Sequence, residues 1–289
     1  MKSTRQFVSA ILKTFTQKMY LPLLLFSFLS FTFFEACQAP TPKSSSESMK
    51  IATSPHVQQL AYNLLVNVSQ DRETKSLQKQ LAALSTETLA TALSTDVQRK
   101  AFWINIYNAY ILIILTEKPE LYKNRGNFFS AQRFTIAGHA LSFDQVEHGI
   151  IRGGRAKYSF GYAQDPFRSS FEKNFRVRNR DFRIHFALNC GARSCPPVRF
   201  YKVETLENQL EKATSYYLKN TSYWNTKTQE AQVTSLFSWF RGDFEGLKGV
   251  KQILKTYGVV PQNVSPKIDF LPYDWSLDLK NFQYPGDEF

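Results

Sequence analysis

Residues 97–116, VQRKAFWINIYNAYILIILT, decide the fold of this chain. From Ala101 onward, apolar side chains fall on every face of a helix, and Thr95-Asp96 is typical of a helix N-cap. A helix that is apolar all round cannot face water. The pattern therefore predicts a buried central helix near residues 98–116.

Asn105 and Asn108 interrupt the apolar surface of that helix on a single stripe. A buried amide without a partner costs about 1–3 kcal/mol, so both side chains must form hydrogen bonds. Two roles stay open at this point. The amides pin neighbouring loops, which is the commoner use of a buried amide, or one of them orients a catalytic imidazole.

The remaining elements are predicted from shorter patterns. Further helices, indicated by apolar residues at helical spacing, cover 54–71, 75–93, 143–152, 203–218, 236–240 and 244–257. Hairpins are predicted over 133–142 and 220–234, and residues 181–189, DFRIHFALN, alternate as a strand does. Residues 153–180, rich in Gly, Arg, Ser and Asn, are predicted to form an exposed irregular loop. The fold class is therefore a single, mostly helical α+β domain, with the central helix beside a small sheet that contains 181–189.

Polar residues that could carry chemistry lie in two segments. Glu147-His148 comes late in the predicted helix 143–152, where a histidine caps backbone carbonyls or acts as a general base or ligand. The second segment, RIHFALNCGARSCPP, contains Arg183, His185, Asn189, Cys190 and Cys195.

Three stretches together resemble a known family. FWINIYNAY (102–110), GHALSFDQVEHGIIR (138–152) and DFRIHFALNCGARSCPPV (181–198) are similar, in the same order, to the motifs of the family called domain of unknown function five-four-seven. The resemblance covers roughly residues 98–220. The family occurs in bacteria, plants and animals and has no established activity, so the resemblance implies a family and leaves the function open.

One interpretation of the polar residues is a thiol-dependent hydrolase or acyltransferase, in which an imidazole lowers the pKa of a cysteine from about 8.5. On an extended strand His185 and Cys190 would lie about 16 Å apart, so Cys190 would need His148. Cys195, carried back by the turn at Gly191, could instead meet His185. The candidate catalytic residues are Cys190, Cys195, His148, His185, Glu147 and Asn105.

Two other interpretations use the same residues. If Cys190 and Cys195 form a structural disulfide, as export favours, the domain is a non-catalytic binding module for an anionic glycan, a lipid headgroup or a cell-envelope protein. Its candidate binding residues are Arg183, Asn189, Asn108, Arg176, Arg178 and Arg180. A Cys₂His₂ metal site is disfavoured because the sequence lacks a close ligand pair, and no cofactor is expected.

Positive charge is concentrated in residues 152–199. The whole chain has a formal charge of +12, and this segment holds eleven Arg or Lys against three Asp or Glu, a net +8. Such a surface attracts anionic headgroups and acidic glycans, or it is simply a solvated arginine face. No nucleic-acid motif accompanies it, so nucleic acid is not an expected partner. We predict that residues 152–183 bind an anionic ligand or headgroup.

The first 50 residues predict export. A basic head precedes an apolar run, Met19–Phe34, that is short for a membrane span, which is typical of a signal peptide. The following Glu35-Ala36-Cys37 resembles a lipoprotein cleavage site with a lipid on Cys37; the alternative is an uncleaved anchor helix. The expected protein is therefore a membrane-anchored lipoprotein facing the periplasm or the cell surface. Its predicted parts are a signal peptide, a flexible tether and a domain, over 1–36, 37–50 and 51–289.

Overall fold

The computed structural model describes residues 54–284, and the predicted signal peptide, Cys37 and tether lie outside this range. Within it, the α-helices in chain order are Ser54–Ser69 (α1), Lys75–Ala83 (α2), Thr86–Ala92 (α3), Asp96–Glu117 (α4), Arg125–Ser130 (α5), Ser170–Phe175 (α6), Leu206–Thr221 (α7), Leu236–Trp239 (α8) and Gly246–Thr256 (α9). Short 3₁₀ helices cover Pro119–Asn124, Phe182–Phe186 and Val203–Thr205, and a π-helix covers Gln145–Ile151. The strands are Phe134–Ile136 (β1), His139–Leu141 (β2), Tyr223–Asn225 (β3), Glu230–Val233 (β4) and Lys267–Phe270 (β5).

The buried central helix that the sequence predicts is α4. Thr95 begins it with a capping box, in which Thr95 Oγ1 accepts the Gln98 N–H and Gln98 Oε1 accepts the Thr95 N–H. Sixteen of its 22 residues are buried, and α1 and the π-helix pack along it. The prediction of a single, mostly helical α+β domain around this helix is confirmed.

Two amides fasten backbone segments to α4. Asn105 Nδ2 donates to the Tyr201 carbonyl at 2.7 Å, and Asn105 Oδ1 accepts the Tyr201 N–H at 3.0 Å. Asn108 makes the same kind of paired contact, to the Ala187 carbonyl and the Asn189 N–H, both at 2.9 Å. The backbone occupies both polar atoms of each amide. The geometry is therefore that of a structural clamp rather than of a group that orients an imidazole.

The strands form two small sheets. β1 and β2 make an antiparallel hairpin that turns at Ala137-Gly138, both with positive φ. β3 and β4 are antiparallel, and β5 joins β4 in parallel, with Ala231 opposite Ile268. Both predicted hairpins are present. The parallel addition of β5 brings the C-terminal tail back onto the domain, where it contributes to the site described below.

The predicted strand over 181–189, and hence a sheet containing it, is wrong. Phe182–Phe186 is a 3₁₀ helix begun by Asp181, whose Oδ1 accepts the Arg183 N–H at 3.1 Å. Ile184, His185 and Phe186 are all buried, so the alternation does not separate a wet face from a dry one. His185 is buried against Asp243, Asn189 is buried against the Pro196 carbonyl, and Arg183 is half-buried against Asp181. A two-residue period cannot reveal such partners.

Two further helix boundaries differ from those predicted. The stretch 75–93 is two helices, because Ser85 caps a new one by accepting the Thr88 N–H at 3.1 Å. The predicted loop 153–180 contains the short helix α6. A capping box between Ser169 and Glu172 begins it, and Phe171 and Phe175 bury one side of it.

Candidate functional site

A cavity of about 470 Å³ opens beside α4, within the range of ~300–1,000 Å³ that is usual for small-molecule sites. Its polar lining consists of Tyr107, Asp144, Glu147, His148, Lys157 and His185. The rest of the lining is Phe129, Tyr158, Phe160, Leu188, Cys190, Leu236, Trp239, Phe240, Tyr273 and Trp275. Aromatic rings thus surround a small set of acids and histidines.

The π-helix places the first acids and histidine of this cavity. Ser142 begins the turn, since its Oγ accepts the Gln145 N–H at 3.1 Å while its own N–H donates to Gln145 Oε1 at 2.9 Å. A Cβ on Gly149 would overlap the Glu172 carboxylate, so only glycine lets α6 approach this closely. π-Helical turns are uncommon and frequently occur at functional sites.

The acids at the cavity form a short polar chain. Tyr107 Oη donates to Glu147 Oε2 at 3.1 Å, and Lys157 Nζ lies 2.6 Å from Asp144 Oδ2. His148 lies between the two carboxylates, at 3.6 Å from one oxygen of each. Burial alone would raise the pKa of Asp144, but His148 and Lys157 hold it below its usual value. Burial, together with the charge of Glu147, raises the pKa of Tyr107.

A buried arginine connects two histidines behind this chain. Arg152 Nη1 lies 2.8 Å from His148 Nδ1, Arg152 Nε lies 2.6 Å from Asp243 Oδ2, and the same oxygen is 2.9 Å from His185 Nε2. A guanidinium only donates, so His148 Nδ1 accepts and the proton of the neutral ring is on Nε2, towards Asp144. We call Arg152, His148, His185 and Asp243 the Arg152 cluster.

Burial affects the ionisation of the Arg152 cluster. It lowers the pKa of His185, an effect that the hydrogen bond to Asp243 only partly offsets. Burial alone would raise the pKa of Asp243, but His185 and Arg152 hold it below its usual value. Phe240 covers the cluster, with the His185 ring stacked on it at 4.2 Å and the Arg152 guanidinium 4.5 Å from its centre.

Cys190 and Cys195 form a disulfide at the edge of the cavity. Cys190 lines the cavity, whereas Cys195 is buried and its Sγ accepts the Cys190 N–H at 3.0 Å and the Tyr273 hydroxyl at 3.3 Å. Asn189 supports the loop by donating to the Pro196 carbonyl at 2.8 Å. With both sulfurs bonded, the cavity has two histidines but no free thiol.

An aromatic wall lines the cavity next to the disulfide. Trp239 stacks on Trp275 with ring centres 5.5 Å apart, and the Tyr273 ring packs at a tilt against both, at 4.9 and 4.8 Å. Tyr273 and Trp275 belong to the C-terminal tail, which bonds to the disulfide loop through Arg193 N–H to the Ser276 carbonyl at 2.8 Å. We call Trp239, Tyr273 and Trp275 the aromatic wall.

The candidate binding residues do not gather at this cavity. Arg183 belongs to a separate cluster, in which Asp181 lies 2.7 Å from Lys100 Nζ and 2.8 Å from Arg183, while Glu207 contacts both cations. We call Lys100, Asp181, Arg183 and Glu207 the Lys100 cluster. Asn108 and Asn189 serve the backbone. The three remaining arginines are exposed on the surface, and they are Arg176, Arg178 and Arg180.

Sequence reasoning missed much of the site. In the sequence Arg152 stands out only as the end of the motif 138–152 and the start of the basic segment, and its partner Asp243 is 91 residues further on. The signal for Asp243 was weak but present, because it is an acid in the glycine-flanked turn between two predicted helices. No sequence signal pairs Trp239 with Trp275.

Residues 54–284 contain neither an assembled metal site nor a membrane-spanning helix. No group of three or more His, Cys, Asp or Glu is arranged to hold a metal ion in this range. None of its helices combines the length and apolar character needed to cross a bilayer.

The fold and the cavity define a mostly helical α+β domain with an acid–histidine floor and an aromatic wall. Residues 91–218 are similar to the family described as "Protein of unknown function, DUF547". No curated protein and no solved structure matches the chain. The matching stretch includes α4, the π-helix, His185 and the disulfide. The aromatic wall and Asp243 lie beyond it.

Proposed function

We propose that the domain is a binding module whose cavity takes a sugar-containing ligand of neutral or positive charge. The aromatic wall carries this proposal. The apolar face of a pyranose ring stacks on indole and phenol rings, and its hydroxyls need donors and acceptors nearby. Tyr107, Glu147 and His148 supply both kinds of group on the floor of the same cavity.

The charge of the cavity narrows the ligand class. Asp144 and Glu147 are carboxylates, and Lys157, their one lysine neighbour in the lining, is already bonded to Asp144. These carboxylates would repel a negatively charged ligand, because like charges in a buried site are poorly screened. An anionic glycan, which the basic segment suggests, therefore suits the outer surface better than the cavity. A neutral or amino sugar suits the cavity.

Tryptophan fluorescence tests the proposal with three probes of similar length. We expect quenching by N-acetylglucosamine oligomers or glucosamine oligomers, and none by galacturonic acid oligomers. Trp275→Ala should weaken binding at least tenfold, about 1.4 kcal/mol. Trp224→Phe is the matched control, since Trp224 is outside the cavity lining. Strongest binding of the acidic oligomer, or no binding of any probe, would overturn the proposal.

A thiol-dependent hydrolase or acyltransferase is the second candidate, because Cys190 lines the same cavity as His148 and His185. It requires reduction of the disulfide, since the thiolate is the nucleophile. Mass labelling with iodoacetamide, with and without reductant, separates the two states. If this candidate is correct, the iodoacetamide reaction of Cys190 in the reduced protein has a pH midpoint below ~8.5. That midpoint should rise in His148→Gln. An ordinary midpoint unaffected by His148→Gln would eliminate it.

A further inference from the structure

Large aromatic side chains are exposed on the segment between the π-helix and α6. Tyr158 is 88% exposed and Phe167 is 93% exposed, with Phe160 and Tyr162 at 57% and 60%. These are four of the seven large hydrophobic side chains that are exposed within residues 54–284. Rings gathered in this way mark an interaction surface. We call residues 155–168 the aromatic loop.

Backbone hydrogen bonds fix the conformation of the aromatic loop. Arg155 and Gln164 form an antiparallel β-bridge across the loop, and the Ala156 N–H donates to the Ala163 carbonyl at 3.0 Å. At its tip the Phe160 carbonyl accepts the Gly242 N–H at 2.6 Å. Phe160 itself has φ +53°, an uncommon left-handed conformation for a bulky residue. The fold thus holds the rings outward at a cost in backbone strain.

Uncompensated positive charge lies at the base of the aromatic loop. Arg176 and Arg178 are exposed, and no carboxylate among residues 54–284 is within ion-pair distance of either. The position of a Cβ on Gly154 would be 3.7 Å from Arg176 Nη1, which places this arginine beside the loop. Two of the loop's three cations are paired, Lys157 with Asp144 and Arg168 with Glu172, and the third, Arg155, donates to the Tyr162 carbonyl.

We infer that the aromatic loop docks on the surface of an anionic phospholipid bilayer. Aromatic side chains with an exposed ring favour the headgroup region, and basic side chains beside them are attracted to anionic lipids. The exposed rings therefore suit the headgroup region of a bilayer, and the unpaired arginines suit its anionic lipids. Tyr158 and Phe160 also line the cavity, whereas Tyr162 and Phe167 do not. The inference does not depend on the aromatic wall or on a lipid at Cys37.

Paired tryptophan reporters in the full chain test the docking. Phe167→Trp places a reporter on the aromatic loop, and Tyr223→Trp, at another exposed aromatic, is the matched control. Both chains share the same N-terminal segment, so membrane attachment through that segment affects both equally. The probe is vesicles of phosphatidylglycerol and phosphatidylcholine whose acyl chains are brominated to quench nearby indoles, and the parent protein gives the background.

We expect quenching at position 167 to exceed that at position 223 at least twofold on phosphatidylglycerol vesicles. It should fall on pure phosphatidylcholine, in high salt, and when Arg176→Ala and Arg178→Ala are added to the reporter, because counterions and neutral lipids remove the attraction. Circular dichroism checks that each variant is folded. Equal quenching at both positions, absence of quenching at 167, or quenching that ignores lipid charge and salt would each overturn the inference.

Discussion

The Lys100 cluster and the Arg152 cluster are both charged and largely buried, yet they are built differently. Permanent charges alone form the Lys100 cluster, with two cations facing two carboxylates. In the Arg152 cluster one carboxylate, Asp243, bonds an arginine and one of two histidines. Only the second cluster reaches the cavity, through His148 and His185.

The two clusters also differ in how completely they are satisfied. Arg152 Nη2 and Asp243 Oδ1 are buried without a hydrogen-bond partner in the described chain, and Arg180 Nη1 lies 4.0 Å from Asp243 Oδ1. The buried polar atoms of the Lys100 cluster are paired. In the Lys100 cluster every buried donor and acceptor has a partner, whereas the Arg152 cluster, beside the cavity, keeps one donor and one acceptor without a partner in the described chain.

Removing the arginine should produce the largest effect. Arg152→Met leaves Asp243 buried with only His185, and we expect a loss of about 3–5 kcal/mol in the free energy of unfolding. Urea denaturation measures this loss. Arg180→Met, which removes a half-exposed cation near the same carboxylate, is the control and should cost less than about 1 kcal/mol. Equal losses in the two variants would contradict the central position of Arg152.

Removing the lysine should cost less. In Lys100→Met the Asp181 carboxylate keeps both hydrogen bonds from the Arg183 side chain, so we expect a loss of about 1.5–3 kcal/mol. The same urea series measures it. A loss larger than that of Arg152→Met would reverse the ranking of the two clusters.

The two clusters should lose their contributions to stability in different pH ranges. Because burial lowers the pKa of His185, the unfolded chain binds a proton near pH 6.5 before the folded chain does, and stability should fall as pH drops below ~6.5, by at most about 1.4 kcal/mol per pH unit. Burial alone would raise the pKa of Asp181, but Arg183 and Lys100 lower it to about 2. Its contribution should therefore be lost only as pH falls below ~3.8.

Unfolding measured from pH 4.5 to 8 tests this separation. His185→Gln should flatten the dependence between pH 4.5 and 6.5, while Lys100→Met should keep it. An unchanged slope in His185→Gln would show that another group titrates.

The smallest effect is expected at the rim of the Lys100 cluster. The Glu207 side chain is 59% exposed, so its ion pairs are weakened by water and salt. Glu207→Gln should change the free energy of unfolding by less than about 1 kcal/mol, and 0.5 M salt should remove most of the difference. A salt-independent loss above that value would place Glu207 among the structural charges.

The sequence predicted the frame of the domain better than the site. α4 was predictable because its apolar pattern and capping residues are local. Residues 181–189 were not, since their polar residues meet charges from elsewhere in the chain instead of water. The cavity could not be predicted from the sequence for the same reason. Arg152 with Asp243, and Trp239 with Trp275, come together only through tertiary packing.

The floor and the aromatic wall of the cavity come from different stretches of chain. Tyr107, Glu147, His148 and His185 lie within the matched residues 91–218, whereas the wall follows them. The similarity to the family therefore covers the floor and stops before the wall. A protein that is similar to this chain only over the floor need not share its ligand, and a chimera that joins this floor to the wall of such a protein should adopt the selectivity of the wall's donor.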